Sequence, residues 1–501
     1  MRELLKRHEE LAATRPDDPA VVYACEPHAG VTLTWAGLCE RAEQIRATLL
    51  AGGARGHRVS ALVLNDHPDL IPTLLALWQL DSPPVLLDPQ WGERLTASVL
   101  AHSTPSFRVD LVPSVTVTPL AGGPLDDVPG DAVFIGYTSG STGDPKAIVF
   151  THERLYDGTL GNVSASVRLR GARPARLARS MRMSGSGVIN LHHTWGAVLG
   201  ATVVVLPELT VASARGYWAR LAEHHIDQTF LVPQLVELVN RFAQDRETTG
   251  PGPLCFTGSA PLSPRTQERF QRRFGLPLMN AYGLSETSSA AFFGDLGADG
   301  LATNRIGVPE RVAARLRDTA GHVVDGPGEG EIELSGAQVF GGYHRNGTAT
   351  EQTLVDGWLR TGDIARRDED GVYRLVGRSK DAVMKGSYAI YLTEVEEAAA
   401  AHPDVLEVAA VPLRLADSTE DIGCLVRLVD GSGAAAEEIL GWLREALGAR
   451  RAPCRVVLTT EPLPRGGQDK LVRPAVTARW DELPNVPRAL HGSWQSAGAE
   501  R

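Results

Sequence analysis

The segment YTSGSTGDPKA, residues 137–147, follows an apolar run and contains two glycines, four serine or threonine hydroxyls and a lysine. Backbone N–H groups and hydroxyls in such a loop can bind phosphate oxygens, and Lys146 adds a positive charge. The segment departs from the pattern G-x-x-x-x-G-K-[ST], because Lys146 does not directly follow a glycine and Ala147 comes after it. On its own it is also compatible with a plain Gly/Ser linker. As a phosphate-binding loop, it indicates a use of ATP that differs from that of the common NTPases.

Length and composition limit the classes of function. The chain has 501 residues, which indicates at least two domains, and its net charge of −10 argues against binding nucleic acid. Its five cysteines are scattered without a C-x-x-C pair, so neither a disulfide framework nor a zinc site is expected. No apolar run approaches the ~18 residues of a membrane-spanning helix, and the first residues lack the apolar core of a signal peptide. We expect a cytoplasmic enzyme without a membrane partner, as a monomer or a homodimer.

Strand and helix patterns alternate over the first 300 residues. Val59–Asn65 and Pro83–Asp88 read as buried strands on either side of a helix at Asp69–Leu80, which is a β-α-β unit. The same pattern of a strand followed by a loop recurs at Ala132–Thr138, Ala201–Pro207 and Pro253–Ser259. The prediction is an α/β fold whose ligands bind where the strands end.

The pattern changes beyond about residue 300. Gly328–Tyr343 and Asp370–Arg378 alternate in the manner of β-hairpins. From Lys380 onwards a compact α+β pattern follows, with helices at Thr393–Ala401 and Ala436–Leu447 and strands at Val405–Val411 and Cys424–Leu428. The remainder, from about Ala478, shows no regular pattern, and residues 479–501 are predicted to form a flexible tail.

Four further motifs accompany the opening loop: NAYGLSET (280–287), LRTGD (359–363), VGRSKD (376–381) and LPRGGQDKLVR (463–473). In this order and at these intervals the five motifs resemble the adenylate-forming superfamily, which comprises acyl- and aryl-CoA synthetases, adenylation domains of non-ribosomal peptide synthetases and firefly-type luciferases. The resemblance covers about residues 20–478. It implies an α/β architecture in which a large N-terminal adenylation core, residues 1–379, has mixed and parallel sheets with helical layers and a β-rich subdomain. A small, mobile α+β C-terminal domain, residues 380–478, would act as a lid.

The resemblance also implies a reaction. A carboxylic acid would react with ATP to give an acyl-AMP and pyrophosphate, and the acyl group would pass to the pantetheine thiol of CoA or of a carrier protein. Such a site must hold the departing pyrophosphate with Mg²⁺ and stabilise charge at the α-phosphate. The opening loop would then hold the β- and γ-phosphates, which leave together. Three alternatives stay open: transfer to a non-thiol acceptor by amide formation, lactone closure or oxidation; activation of an amino acid; and a non-catalytic nucleotide-binding module.

Several residues match the family's catalytic positions. Glu286 matches the ligand of Mg²⁺, for which a carboxylate oxygen is suited, and Thr287 matches a contact to the α-phosphate. Lys470 matches the C-terminal lysine that reaches the α-phosphate and the attacking carboxylate. Asp469 stands before it where relatives usually have glycine. Lys380 falls on the hinge about which the C-terminal domain turns between the two half-reactions.

The nucleotide site implied by the resemblance is larger. Its expected members are Thr138, Ser139, Gly140, Ser141, Thr142, Gly143, Lys146, Gly258, Ser259, Ala260, Asn280, Ala281, Tyr282, Gly283, Asp363 and Arg378. Within this set, Tyr282 is expected to offer its ring face to adenine and Asn280 its amide to the adenine edge. Asp363 and Arg378 are expected to contact the ribose hydroxyls. On the thiol side, Gly386–Ser387 stand where relatives often carry two glycines.

The acyl pocket is the part that the sequence constrains least. Its expected lining is Ser184, Gly185, Ser186, Gly187, His192, Val232, Gly283 and Leu284. Amino acid adenylation domains carry an aspartate in this region, whereas residues 179–206 contain no acid. A buried ammonium without a carboxylate partner is costly, so an aryl or aliphatic acid is favoured unless a partner comes from elsewhere. Arg182 is a candidate to face an anionic or polar acyl group, with a solvent-facing charge as the alternative.

Overall fold

The computed structural model describes residues 2–122, 127–138, 146–246, 252–260, 262–294, 305–385, 388–415, 419–465, 471–484 and 486–490. The predicted β-α-β unit is present as Ser60–Val63, Leu70–Gln79 and Pro84–Leu87, with the two strands parallel. It belongs to a six-stranded sheet with the spatial order Thr116–Pro119, Phe107–Asp110, Ser60–Val63, Pro84–Leu87, Ala132–Thr138 and Lys146–Thr151. The last two strands are antiparallel, so the opening loop joins the arms of a hairpin instead of leading from a strand into a helix.

A second sheet joins a half that is parallel except for its edge strand Thr32–Thr34 to an antiparallel half. The first half, in spatial order, is Thr32–Thr34, Pro19–Tyr23, Thr202–Val205, Arg176–Arg179, Gln228–Leu231, Leu254–Gly258 and Leu278–Gly283. The second half continues with Ala290–Phe293, Arg305–Pro309, Tyr373–Arg378, Trp358–Arg367, Gly328–Ser335, Ala313–Arg317 and Val323–Val324, and Leu354–Val355 pairs with Trp358–Arg367. Leu278–Gly283 pairs in parallel with one neighbour and antiparallel with the other, so it is the joint between the halves.

Helices alternate with the parallel strands. Thr34, Thr151 and Ser263 each cap the following helix by accepting a hydrogen bond from a backbone N–H of its first turn. The helices before residue 360 are Glu3–Thr14, Trp35–Ala51, Leu70–Gln79, Glu93–Ser103, His152–Arg170, Ser186–Val188, Trp195–Leu199, Val211–Ala214, Tyr217–Glu223, Pro233–Phe242, Pro264–Phe274 and Gly347–Thr353, with a π-helix at Ile189–Thr194 and a 3₁₀ turn at Ser285–Thr287. Within the described ranges, no helix is long and apolar enough to cross a lipid bilayer.

The C-terminal part has its own hydrophobic cores and its own sheet. Val405–Arg414, Glu420–Leu428 and Arg455–Thr459 form a three-stranded sheet, and Ala382–Lys385 pairs with Tyr388–Tyr391. Helices Leu392–Ala400 and Ala436–Leu447 pack against it, and a 3₁₀ turn covers Ser379–Asp381. The predicted fold class of a mixed-sheet core followed by a small α+β unit is confirmed, whereas the boundary at residue 379 stays a prediction.

The end of the chain differs from the prediction. A helix runs from Arg473 to Asp481, and the Trp480 side chain is fully buried against Gly423, where a Cβ atom would lie 2.3 Å from the indole. Further along, the Leu490 N–H donates a hydrogen bond to the Pro412 carbonyl at 2.9 Å, which attaches this end of the chain to the strand Val405–Arg414. The chain is thus helical to Asp481 and packed up to Leu490, which the absence of a regular sequence pattern did not indicate, because local patterns do not reveal where a large aromatic side chain is buried. The flexibility of residues 479–501 stays a prediction.

We expect Trp480→Ala to lower the free energy of unfolding of the C-terminal part by about 3–5 kcal/mol, since it removes a fully buried indole. Trp442, which is 37% exposed and donates one hydrogen bond to the Ala398 carbonyl, is the matched control, and Trp442→Ala should cost about 1 kcal/mol. Urea unfolding followed by circular dichroism measures both values. Equal losses in the two variants would contradict the packing described for Trp480.

Candidate active site

The opening loop begins and ends at fixed points of the six-stranded sheet. Thr138 and Lys146 are paired across the hairpin, and the Thr138 hydroxyl donates to the Lys146 carbonyl at 3.3 Å. The Lys146 ammonium lies over the Tyr343 ring, 4.7 Å from its centroid. The predicted loop contacts Ser139, Gly140, Ser141, Thr142 and Gly143 lie outside the described residues.

The turn Ser285–Thr287, which follows the strand Leu278–Gly283, carries the predicted catalytic carboxylate. Glu286 accepts a hydrogen bond from the Tyr343 hydroxyl at 2.6 Å, and its backbone carbonyl accepts one from the Phe340 N–H at 2.7 Å. Thr287 is fully buried, and its hydroxyl lies within hydrogen-bonding distance of the Leu284 N–H and of the Leu284 and Ser289 carbonyls. In this structure the Thr287 side chain therefore stabilises the turn, and its contact to an α-phosphate stays a prediction.

Tyr343 is a member of the site that the sequence analysis missed. It lies at the end of the predicted hairpin segment, far along the chain from both Glu286 and Lys146. Burial, together with the Glu286 carboxylate, raises the pKa of Tyr343, so the phenol keeps its proton and donates. The signal available in the sequence was the Gly-Gly-Tyr triplet, residues 341–343, after a strand pattern. Nothing in that triplet by itself indicates what the tyrosine contacts.

Three of the predicted nucleotide residues form one hydrogen-bonded group. The buried Asp363 accepts from the Tyr282 hydroxyl at 2.7 Å on Oδ2 and from the Arg378 Nε at 2.8 Å on Oδ1. Asp363 and Arg378 are opposite each other on antiparallel strands, which explains why residues 15 positions apart meet. The Asp363 carboxylate raises the pKa of Arg378, and burial together with Asp363 raises that of Tyr282. Each oxygen of the Asp363 carboxylate keeps a lone pair that can accept a hydrogen bond from a ribose hydroxyl.

Tyr282 is more enclosed than a ring that stacks openly on a base. Its side chain is buried and packs edge-on against Phe292, with ring centroids 5.7 Å apart. Its interaction with adenine therefore stays a prediction. Asn280, two residues earlier on the same strand, donates from its side-chain amide to the Arg305 carbonyl at 3.0 Å.

The expected opposite wall of the nucleotide site, Gly258-Ser259-Ala260, is built from a very close approach of two strands. A Cβ atom at Gly258 would lie 2.2 Å from the Ala281 carbonyl oxygen, so only glycine fits there. Ser259 follows with a positive φ of 71°, which turns the chain away from the sheet. The structure therefore brings Ser259 and Ala260 to the end of the strand beside the one that carries Asn280 and Tyr282.

The predicted acyl segment runs from Ser184 into a π-helix, a form often found at functional sites. Ser186 packs against the strand that leads to the opening loop, because a Cβ at Gly136 would lie 3.2 Å from the Ser186 hydroxyl oxygen. His192 is buried, and among the described residues its Nε2 has no hydrogen-bond partner. Burial and the nearby Arg179 lower the pKa of His192 to about 3, so the ring is neutral. Val232, also predicted to line the pocket, is the residue directly before the helix Pro233–Phe242.

Two acids from other elements approach this segment, and both are paired with arginine. Asp66 forms an ion pair with the buried Arg179, and Asp88 accepts two hydrogen bonds from Arg182, at 3.0 and 3.1 Å. Arg182 is thus neither an unpaired cation facing the acyl group nor a free solvent-facing charge. Within the described ranges, Asp66 and Asp88 are thus each engaged by a guanidinium.

A cleft of about 290 Å³ extends from the Glu286 carboxylate to Ser379, at the start of the C-terminal part. Its lining comprises Leu284, Glu286, Glu331, Tyr343, Gln352, Thr353, Leu359, Arg360, Thr361, Gly362 and Ser379. Ser379 directly precedes the predicted hinge Lys380, whose backbone lies in the turn Ser379–Asp381. The predicted catalytic Lys470, its neighbour Asp469 and the Gly386–Ser387 pair lie outside the described residues.

Comparisons with known proteins agree with this geometry. Residues 8–344 match the model of the AMP-binding enzyme family, and residues 394–470 match that of the AMP-binding enzyme C-terminal domain. The chain is 30% identical over 372 residues to a sulfoacetate–CoA ligase of Cupriavidus necator, covering 72% of this chain and 70% of that protein. It is 29% identical over 478 residues to a feruloyl-CoA synthase of Amycolatopsis, covering 90% and 95%.

Solved structures show the same fold. The o-succinylbenzoate CoA synthetase of Bacillus subtilis, solved with its acyl-adenylate intermediate, superposes with a TM-score of 0.80 at 20% identity and covers 98% of this chain and 99% of its own. The resemblance inferred from five sequence motifs is confirmed by a family match that spans well over half of the residues. This chain belongs to the AMP-binding enzyme family.

Proposed function

We propose that the protein is an ATP-dependent acid–thiol ligase that activates a carboxylic acid as acyl-AMP and transfers the acyl group to CoA. The observation that carries the proposal is that Glu286 and Lys146 both contact Tyr343, and that Glu286 and Tyr343 line the cleft. Asp363, with its Arg378 partner, directly follows Gly362, which also lines the cleft. Groups suited to phosphate, cation and ribose binding therefore lie in or next to the lining of this cleft. The two curated relatives are CoA ligases or synthases by name, which supports the choice of a thiol acceptor.

The hairpin geometry suits a departing pyrophosphate. Both ends of the loop are anchored in one antiparallel pair, Thr138 opposite Lys146, so the loop can enclose phosphates between two strands. Backbone N–H groups of such a loop and the Lys146 ammonium are suited to hold the β- and γ-phosphates. The α-phosphate would then remain on the side of Glu286 and the acyl segment, where a carboxylate can attack it.

The residues present fit a divalent cation at Glu286. Mg²⁺ is commonly held in proteins by one or two carboxylates together with substrate phosphates, and Glu286 lies in the cleft with one oxygen already fixed by Tyr343. When bound, such a cation supplies positive charge that stabilises the leaving phosphates. Glu286 would hold it, Lys146 would add a second positive charge, and Asp363 would orient the nucleoside.

The acyl group that this site favours lacks an α-ammonium. His192 is neutral, residues 179–206 contain no acid, and the two approaching carboxylates, Asp66 and Asp88, are each paired with an arginine. An ammonium group would therefore be buried without a free carboxylate. An aryl or aliphatic acid, held by small residues at Ser184–Gly187 and by the wall near Val232, fits this environment better.

We expect acid-dependent conversion of ATP into AMP and pyrophosphate, detected by pyrophosphate release across a panel of aryl, aliphatic and α-amino acids. The best aryl or aliphatic acid should exceed every proteinogenic amino acid in kcat/KM by about ten- to a hundredfold, since a missing ion pair is worth roughly 1.5–3 kcal/mol. ADP and inorganic phosphate as primary products would refute the reaction. An amino acid as the best substrate would refute only the pocket assignment. CoA and a phosphopantetheinylated carrier protein, supplied in parallel, identify the acceptor.

Lys470 and Lys380 should affect different half-reactions. Lys470→Ala removes a positive charge directed at the α-phosphate, so adenylate formation should fall by ~10²–10³. Thioester formation from pre-made acyl-AMP should persist.

Lys380→Pro restricts the pivot, so adenylate should form while thioester does not. Starting each variant either from ATP plus acid or from acyl-AMP plus thiol separates the steps. Equal losses at both starting points in both variants would exclude alternation of the C-terminal part.

Asp363 should distinguish ATP from 2′,3′-dideoxy-ATP. Its carboxylate keeps lone pairs beside the Tyr282 and Arg378 contacts, so the native protein should favour ATP by about ten- to a hundredfold. Asp363→Asn should lose most of this preference, whereas Asp370→Asn, at an exposed turn, should keep it. The ratio of the two dissociation constants is the measurement. A preference that survives in Asp363→Asn would place the ribose elsewhere.

A further inference from the structure

Tyr343 contacts both halves of the phosphate site. Its hydroxyl donates to Glu286 Oε1 at 2.6 Å, and its ring face lies under the Lys146 ammonium, 4.7 Å from the centroid. Glu286 and Lys146 are 140 positions apart in sequence: Glu286 lies in the turn Ser285–Thr287, and Lys146 begins a strand of the six-stranded sheet. Among the described residues, this one side chain touches the carboxylate proposed for the cation and the lysine proposed for the phosphates.

The backbone around Tyr343 is fixed on both sides. Tyr343 forms an antiparallel bridge with Ile148, and the His344 N–H donates to the Ala147 carbonyl at 2.8 Å. On the other side, the Phe340 N–H donates to the Glu286 carbonyl at 2.7 Å. The segment from Phe340 to His344 therefore joins the turn that carries Glu286 to the strand that starts at Lys146. These backbone bonds hold the Cα atom of Tyr343 between the two elements, so its side chain projects from a defined position.

We propose that Tyr343 is a positioning residue that couples Glu286 to Lys146, orienting the carboxylate through its hydroxyl and the ammonium through its ring face. The inference rests on the proposed function, because it assigns roles within the same ATP site. It adds a residue to which neither the sequence motifs nor the comparisons give a role.

The physical case for the hydroxyl is preorganisation. A glutamate side chain loses rotamer freedom when it becomes fixed, and Tyr343 already fixes one oxygen of Glu286 before any cation arrives. The carboxylate keeps its other lone pairs for the cation. Hydrogen-bond partners of metal-binding carboxylates commonly change metal affinity by roughly 10–100-fold when removed.

The physical case for the ring is a cation–π contact. The negative face of the phenol attracts the Lys146 ammonium and holds it over the ring whose hydroxyl binds Glu286. The two charges, one negative and one positive, are thus each held by the same side chain in the free protein. Both are then in place when a nucleotide with its cation enters the cleft.

The test measures by calorimetry how tightly the full chain binds the α,β-methylene analogue of ATP, which is not cleaved, once with saturating Mg²⁺ and once with EDTA. Tyr343→Phe keeps the ring and removes only the hydroxyl. It should weaken binding with Mg²⁺ by roughly 10–100-fold and leave binding in EDTA within about twofold of the native value. Tyr343→Leu removes the ring as well and should also weaken binding in EDTA, by about two- to fivefold.

Two controls separate positioning from general loss of structure. Tyr217, whose buried hydroxyl contacts Thr229 at 2.7 Å in another hydrophobic core, is the matched phenol, and Tyr217→Phe should not change the Mg²⁺ dependence. In a Glu286→Gln background, Tyr343→Phe should cause no further loss of the Mg²⁺ effect, because the carboxylate that the hydroxyl orients towards the cation is already absent. Thermal unfolding confirms that each variant is folded.

The outcomes distinguish this inference from the proposed function. If Mg²⁺ does not tighten binding of the analogue to the native protein, the proposed ATP site fails and the role of Tyr343 fails with it. If the native protein shows the Mg²⁺ effect and Tyr343→Phe shows it unchanged, only the inference is overturned. Equal weakening with Mg²⁺ and with EDTA in Tyr343→Phe, or an equal loss in Tyr217→Phe, would also overturn it, because either result indicates a purely structural role.

Discussion

The close approach of backbones at the strand Leu278–Gly283 is the constraint on which the rest of the site depends. A Cβ at Gly258 would meet the Ala281 carbonyl at 2.2 Å, and a Cβ at Gly283 would meet the Ser289 carbonyl at 2.5 Å. This tightly packed strand pairs in parallel on one side and antiparallel on the other. Its end places Tyr282 and the following turn with Glu286 at the boundary between the two halves of the sheet. Ligands of α/β sheets commonly bind where strand direction or order changes, and the cleft lies there.

The electrostatics of the site follow from how buried charges are paired. Asp363 accepts hydrogen bonds from Arg378 and Tyr282. Arg179 forms an ion pair with Asp66, and Arg182 forms one with Asp88, so these charges are compensated before any ligand binds. Buried charges without a partner are strongly destabilising, which explains the density of arginine–carboxylate pairs in this region. Lys146 differs from these arginines, because its charge rests on an aromatic ring. A cation–π contact is exchanged for a phosphate more readily than a buried ion pair, so Lys146 is suited to move onto a nucleotide.

The contacts of the C-terminal part describe one of the poses that the proposed mechanism requires. Arg265 donates to the carbonyls of Ala401 and His402, at 3.4 and 2.7 Å. Gly377 admits the Tyr391 ring so closely that a Cβ would lie 2.7 Å from its side chain. These polar and small-residue contacts are of the kind that can separate and re-form, unlike a large apolar interface. A rotation about Lys380 would break the Arg265 contacts while leaving the separate hydrophobic cores of the C-terminal part intact.

The sequence by itself determined the fold class and the family, because the five motifs are contiguous in the chain and carry particular residue types. It also named the residues expected to bind the nucleotide, and that assignment stays a prediction. The alternation of apolar runs likewise sufficed to predict the β-α-β unit. Tertiary structure alone decided the rest: the pairing of Arg182 with Asp88, the burial of Trp480 in a segment predicted to be flexible, and the meeting of Tyr343 with Glu286 and Lys146. Each of these joins residues distant in sequence, and local pattern carries no information about which distant side chain will fill a cavity or neutralise a charge.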